Sequence, residues 1–294
     1  VVSLISKRKL KKYPYIILGI IHIAMMGFTF YKKKDRKQLL VLFLSYTGFA
    51  YWFEYIVFAL LKGYVYKPNV FKIRSLDHVF GSVWSQFLYV PTTALFITAF
   101  QLGWKVKLFF SIYFSLVEKI FLYLGIFKNH WWKTRYTFVM IFISFIANDK
   151  WSEKLQKNNP YVRFISLFQM VQVTWSNLNF LLTISGEIRY GKSWGRPWKK
   201  HFKVAPLVNL LDSLLVAWWL KSGDFLSKLK SFLFMWSLDY FLIKQRRLKV
   251  DNYLLLPFFY MIIIFMGDHY YRNWIYRPYQ QDNPSSDKDS RERS

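Results

Sequence analysis

The feature that most constrains this chain is a succession of long apolar runs separated by short basic segments. The runs cover residues 14–31, 39–61, 83–104, 106–127, 131–147, 161–185, 204–220, 231–243 and 253–271. Most reach the roughly 20 residues that carry a helix across ~30 Å of hydrocarbon. A soluble chain of this length would show half-polar periodic elements instead. The reading is therefore all-α: a polytopic helical membrane protein with eight or nine transmembrane helices. The run 231–243 is short enough to be re-entrant or to be lengthened by its neighbours, and 161–185 is unusually polar. A membrane β-barrel would require alternating strands of about ten residues, and that pattern is absent.

Charge follows the complementary rule. The 42 Lys and Arg against 16 Asp and Glu give a net charge of +26, concentrated between the runs. Basic segments beside apolar spans fit anionic lipid headgroups, so the expected partner is a bilayer, with no nucleic acid. Lys7, Arg8, Lys9, Lys11 and Lys12 precede the first run and Lys32, Lys33, Lys34, Arg36 and Lys37 follow it. These flanks favour a retained span over a cleaved leader. The Lys/Arg bias favours a cytoplasmic N-terminus in a cell membrane. Trp131–Trp132, Trp218–Trp219 and Tyr270–Tyr271 mark interfacial depth. Residues 1–271 are read as one membrane-embedded helical unit. Residues 272–294, rich in Gln, Asp, Ser and Arg, are read as a solvated tail.

With 0 cysteines and five histidines lacking a short ligand spacing, thiolate chemistry and Cys-ligated metals are excluded and no metal or other cofactor is expected. Gly186-Glu187-Ile188-Arg189-Tyr190-Gly191-Lys192-Ser193 matches G-x-x-x-x-G-K-[ST]. A phosphate loop, however, works between a parallel strand and a helix, and here a hydrophobic run precedes the motif while Gly195 and Pro197 follow it. What remains is a basic loop. Arg189, Lys192, Arg196, Lys199 and Lys200 are candidate contacts for lipid phosphates, or a simple positive anchor.

Ionisable groups inside spans are costly and face the bundle or water. The candidates for an intramembrane polar site are Glu54, Glu118, Asp212 and Asp239, with Asn209, Gln169 and Gln172. Glu118 and Lys119 point about 100° apart on a helix, so one of them must look inward. Asn209 and Asp212, at i and i+3, share a face. Arg163, Ser166, Gln169, Gln172, Ser176, Asn179 and Thr183 form a polar stripe that either lines an aqueous cavity or serves as helix–helix glue. Pro91 is a candidate kink.

An internal similarity is also legible. Ser115-Leu116-Val117-Glu118 and Ser237-Leu238-Asp239 precede similar apolar residues, and Val90-Pro91 and Ala205-Pro206 open the helices before them. Helices three to five and seven to nine are thus read as parallel copies; the alternative is chance alignment of similar compositions.

Tyr64-Val65-Tyr66-Lys67-Pro68-Asn69, then Asn129-His130-Trp131-Trp132-Lys133 with Tyr136-Thr137, resemble a group of uncharacterised multi-pass membrane proteins of low-GC, spore-forming bacteria. The resemblance covers residues 54–137 and implies a membrane fold without transferring an activity. Three functions stand. The first is a non-catalytic structural, sensory or lipid-interacting component that tolerates Glu118→Gln and Asp212→Asn. The second is a transporter or channel-like protein with carboxylates lining a path for protons, cations or a small solute. The third, an intramembrane enzyme, is the least favoured because no nucleophile or acid–base pair is assignable.

Overall fold

The computed structural model describes residues 12–191 and 198–276. The tail expected at 272–294 therefore falls outside the described residues from 277 onward. Helix continues to Tyr276, past the boundary drawn at 271.

The described residues form nine continuous helical rods and four short strands. The rods are α1 (Tyr13–Lys32), α2 (Arg36–Glu54, running on as a π-helix over Tyr55–Leu60), and α3 (Arg74–Trp84, a π-helix over Ser85–Tyr89, then Val90–Ala99). They continue with α4 (Trp104–Tyr123), α5 (Thr134–Gln156), α6 (Pro160–Ile184), α7 (Trp198–Leu220) and α8 (Phe225–Lys244). The last, α9, runs through Leu255–Phe265, a π-helix over Met266–Arg272, and Asn273–Tyr276. The strands are β1 (Tyr64–Tyr66), β2 (Phe127–Asn129), β3 (Ile188–Tyr190) and β4 (Leu248–Val250). Three helical segments are long and apolar enough to cross a membrane by length and composition: Tyr13–Lys32, Arg36–Leu60 and Lys200–Leu220.

After α1, one order of elements occurs twice: helix, strand, helix, helix, strand, helix. In the first half β1 pairs antiparallel with β2, placing Tyr64 opposite Asn129 and Tyr66 opposite Phe127. In the second, β3 pairs antiparallel with β4, placing Ile188 opposite Val250 and Tyr190 opposite Leu248. Glu118 stands nine residues before Phe127, and Asp239 nine before Leu248. Lys107 and Lys228, each the fourth residue of its helix, bond Asp149 and Asp268 near the far ends of α5 and α9, both at 2.6 Å. The carboxylate anchor of the expected similarity therefore holds its register. The proline anchor does not, because Pro91 lies 13 residues before α4 and Pro206 lies 19 before α8.

Local chemistry sets the ends. Asn159 caps α6 by accepting the backbone N–H groups of Tyr161 and Val162, with Pro160 in the first turn where its missing N–H is harmless. After α4, Gly125 takes the left-handed conformation (φ 66°) that turns the chain into β2. At the expected kink, a π-helix over Ser85–Tyr89 directly precedes Pro91, which has no N–H to continue the helical ladder. The short run 231–243 is part of a full 20-residue helix, because Asp224 caps it six residues before Lys230.

That cap gives a pH test. The Asp224 carboxylate accepts the Ser227 N–H at 2.6 Å, and hydrogen bonds from the Ser227 side chain and backbone hold its pKa below the ordinary aspartate value. The folded state thus favours the charged form. Its stabilisation is complete above the unfolded pKa near ~3.9 and is lost as pH falls through the lower folded value. Thermal melts of Asp224→Asn are expected to start lower than wild type at neutral pH and to converge with it in acid. Parallel curves at every pH would mean that the Asp224 charge adds nothing to the cap, which asparagine can also make.

The packing differs from that of a soluble bundle in being apolar outside as well as inside. Each half has its own core, with Tyr46, Leu95, Ile97 and Phe145 in the first and Leu167, Trp175, Val216 and Tyr260 in the second. The outward faces are apolar as well: Phe109, Ile112, Leu116 and Ile120 on α4, and Leu226, Leu229, Leu233, Trp236 and Tyr240 on α8, are exposed at helical spacing. The carboxylates, meanwhile, point in.

Candidate functional site

The halves meet along α2 and α6 and along α3 and α7. At the α2–α6 crossing, Gly48 lets the Gln169 side chain lie on the backbone of α2. Further along, Trp52 Nε1 donates to Gln172 Oε1 at 2.7 Å and Tyr51 Oη donates to Asn177 Oδ1 at 2.8 Å. Between α6 and α7 three polar rungs follow one face of α6 at i, i+4 and i+8. Trp175 Nε1 donates to Asp212 Oδ2 at 3.2 Å, Asn179 Nδ2 donates to Asn209 Oδ1 at 3.0 Å, and Thr183 Oγ1 meets His201 Nε2 at 3.2 Å. His201 Nδ1 accepts the Tyr190 backbone N–H at 3.0 Å, so the ring is neutral with its proton on Nε2, facing Thr183.

A cavity of about 180 Å³ opens at this meeting of the halves, lined among others by Glu54, Gln172, Ser176, Asn179, His201 and Asn209. Glu54 reaches it from the end of α2, where the helix passes into its π-turn. Its Oε2 accepts from Tyr64 Oη at 2.7 Å and from Gln86 Nε2 at 2.9 Å. Gln86 lies in the π-turn of α3, so two widened turns bring these groups together. Pro206, also on the wall, has no N–H for the Phe202 carbonyl one turn earlier, which leaves that acceptor outside the helical ladder.

All seven predicted residues are buried, but they divide among separate places. Glu54, Gln172 and Asn209 share the cavity. Gln169 packs beside it against Gly48. Asp212 and Asp239 lie deeper in the second half, where Trp175 donates to the first and Tyr260 Oη to the second. Glu118 faces inward while Lys119 is exposed, and it belongs to the first half. Its Oε1 accepts from Asn129 Nδ2 at 3.0 Å and Thr134 Oγ1 at 2.8 Å, and its Oε2 from Thr137 Oγ1. Glu118 lines a second cavity, of about 250 Å³, whose walls include the aromatic rings of Tyr15, Tyr46, Tyr66, Tyr89, Phe114 and Trp132.

The sixth-helix stripe likewise divides. Gln172, Ser176, Asn179 and Thr183 line the inter-half cavity. Arg163 Nε instead donates to the Ile275 carbonyl at 2.8 Å, and Ser166 Oγ accepts from Trp151 Nε1 at 3.1 Å, so these end in helix contacts. Asp77 and Asp268 also serve structure: Asp77 accepts the backbone N–H groups of Asn69, Val70 and Phe71, and Asp268 bonds Lys228 and Arg272.

Sequence reasoning passed over Tyr64, Gln86, Trp175 and His201 as site residues. Tyr64 and His201 had one signal, their position 10 and 11 residues from Glu54 and Tyr190, but only the strands show which neighbour each meets. Of the basic loop, Lys192, Arg196 and the side chain of Lys199 lie outside the described residues. Arg189 stacks its guanidinium 3.5 Å over the Trp198 ring, and Lys200 is exposed. The G-x-x-x-x-G-K-[ST] match contains β3 within itself, in a two-stranded antiparallel pair, so no parallel strand leads into it. Among the described residues no three His, Cys, Asp or Glu side chains group as metal ligands.

No family model matches the chain, and neither a curated protein nor a solved structure matches it.

Proposed function

We propose that the chain is a multi-span integral membrane protein, with all nine helices at membrane depth and the N-terminus cytoplasmic, whose two halves hold a small polar solute or cation between them. The observation that carries this reading is the packing: apolar stripes on the outer faces and an amide- and carboxylate-lined cavity where the halves meet. Water would not sustain so much exposed apolar surface on α4, α7 and α8, whereas lipid does. The repeated element order supports an internal duplication. With four helices per half, equivalent helices run in the same direction, giving parallel halves and a site on the axis between them.

The basic loop fits the same reading. Arg189 beside Trp198, with Lys200 exposed at the start of α7, provides an aromatic and cationic rim for anionic headgroups. We further propose kinship with the low-GC bacterial group, since the resembling residues 64–66 and 129 belong to the paired strands β1 and β2.

Single cysteines in this cysteine-free chain test the cavity. In reconstituted protein, a membrane-impermeant thiol reagent is expected to label positions 172, 176, 179 and 209. Positions 166 and 169, which are packed against neighbouring helices, should stay unlabelled. If the first four are as inert as the last two, the interface is dry and the solute-binding reading fails, leaving a structural membrane component.

A further inference from the structure

Asp212 on α7 and Asp239 on α8 form a second polar centre, away from the cavity wall. Both side chains are almost fully buried, at 1% and 2% exposure. Each has one oxygen engaged: Asp212 Oδ2 by Trp175 Nε1, and Asp239 Oδ2 by Tyr260 Oη. The Trp175 and Tyr260 rings touch, with centroids 5.8 Å apart, so the two donors bring their carboxylates into one compartment. Asp239 is close enough to act electrostatically on Asp212, and the Tyr190 hydroxyl from β3 stands beside Asp239. The remaining oxygens, Asp212 Oδ1 and Asp239 Oδ1, make no hydrogen bond among the described residues.

Among the described residues, the elements around the pair place no cation against either carboxylate; Arg189 on β3 stacks over the Trp198 ring instead. From α6 come Trp175 and Asn179, from α9 Tyr260, from β3 Tyr190, and from β4 the apolar Leu248 and Val250. His201 touches the Tyr190 ring at 5.7 Å, but its Nδ1 is occupied by the Tyr190 N–H and its Nε2 faces Thr183. Lys249 turns outward to Asp251. Two adjacent carboxylates cannot both stay ionised in such surroundings without a positive partner. A metal ion is a poor fit. Calcium needs six to eight oxygen ligands and magnesium an octahedron, whereas only two oxygens are open and the other two already accept hydrogen bonds.

We infer that Asp212 and Asp239, as a buried pair, share one exchangeable proton, forming a proton-binding site inside the second half. The shared proton leaves the pair with a single negative charge, which the Trp175 and tyrosine donors stabilise. The site goes beyond the solute reading and does not depend on it.

Infrared spectroscopy of the full chain in lipid at neutral pH tests this, because a protonated carboxyl has its own C=O stretch and shifts in deuterated water. Wild type should show a buried protonated-carboxyl band from the pair, identified as the component that survives Glu54→Gln. Asparagine mimics the protonated partner, being neutral with an N–H to donate, so the carboxylate left behind keeps its charge. The band should therefore vanish in both Asp212→Asn and Asp239→Asn and persist in Glu54→Gln. Absence of the band in wild type, or ionised carboxylate bands that move with sodium concentration, would overturn the proposal in favour of a bound cation. Loss in only one of the Asn variants would assign the proton to a single residue and overturn sharing, as would loss confined to Glu54→Gln. Should an Asn variant fail to fold, Asp212→Glu keeps the carboxyl and should retain a shifted band. Its absence in a folded Asp212→Glu protein would count against the pair.

Discussion

Replacing Gly48 with valine is expected to keep the two halves from docking and to abolish accumulation of folded protein. A Cβ at this position would stand 1.9 Å from Gln169 Oε1, 2.6 Å from its Cδ and 2.9 Å from its Cβ. The amide end of Gln169 can swing away, but its Cβ is fixed to α6, so the helices themselves must separate. Overpacking of this kind costs about 1–3 kcal/mol when one methyl is added, and more when branched carbons force the backbone apart. Gly48→Ala should therefore lower the melting temperature measurably and Gly48→Val far more. Adding Gln169→Ala to Gly48→Ala removes the two nearest atoms and should recover part of the loss, a coupling that a double-mutant cycle reads directly. Gly27 is the control: a Cβ there meets nothing within 4 Å, so Gly27→Ala should leave stability unchanged or slightly raised. Equal effects at Gly48 and Gly27 would mean that the α2–α6 crossing does not hold the halves together.

The second large effect is expected at Glu118, whose substitution by glutamine looked tolerable from sequence under a structural role. Its three partners are all donors. Thr137 gives its one hydrogen to Glu118 and already accepts from Trp132 Nε1 at 2.8 Å, so to receive an N–H from residue 118 it must use its second lone pair and turn its hydrogen elsewhere. Glutamine keeps an oxygen for Asn129 and Thr134, but it loses the negative charge that strengthens these bonds, and its N–H replaces the acceptor of the Thr137 hydrogen. Hydrogen bonds to a charged group contribute about 1.5–3 kcal/mol each and are not additive, so Glu118→Gln should cost roughly 2 kcal/mol and Glu118→Ala roughly 3–5. The loss would fall where α4, β2 and α5 are tied together. Thermal denaturation followed by tryptophan fluorescence would measure it. A wild-type melt for Glu118→Gln would mean that the carboxylate is not a structural latch and would return it to the list of path-lining candidates. Cysteine labelling at 172 and 176 should survive in Glu118→Gln, since the first-half cavity and the inter-half cavity have separate walls.

Much of this arrangement was legible residue by residue. Apolar runs marked the nine helical rods of the described residues, and three of these segments are long and apolar enough to cross a membrane. Helical geometry alone put Glu118 and Lys119 on different faces and Asn209 and Asp212 on the same one, and both held. The polar stripe on α6 was visible from its spacing. Its division into cavity lining and glue was not, since Ser166 and Gln172 differ only in what stands opposite them.

The amino-acid sequence by itself thus determined the helical, apolar-surfaced class of the protein, the basic segments between its helices and the inward turn of Glu54, Glu118, Asp212 and Asp239. These depend on composition and on a 3.6-residue period that is local to each helix. Only the tertiary structure decided the two strand pairs, each strand too short at three residues to show a period and paired with a partner about sixty residues away. It also decided the π-turns that bring Gln86 to Glu54, and the sorting of four acidic residues into a cavity wall, a latch and a pair. Those outcomes depend on which helices touch, and contact between distant helices is fixed by the packing of the whole bundle rather than by any one segment.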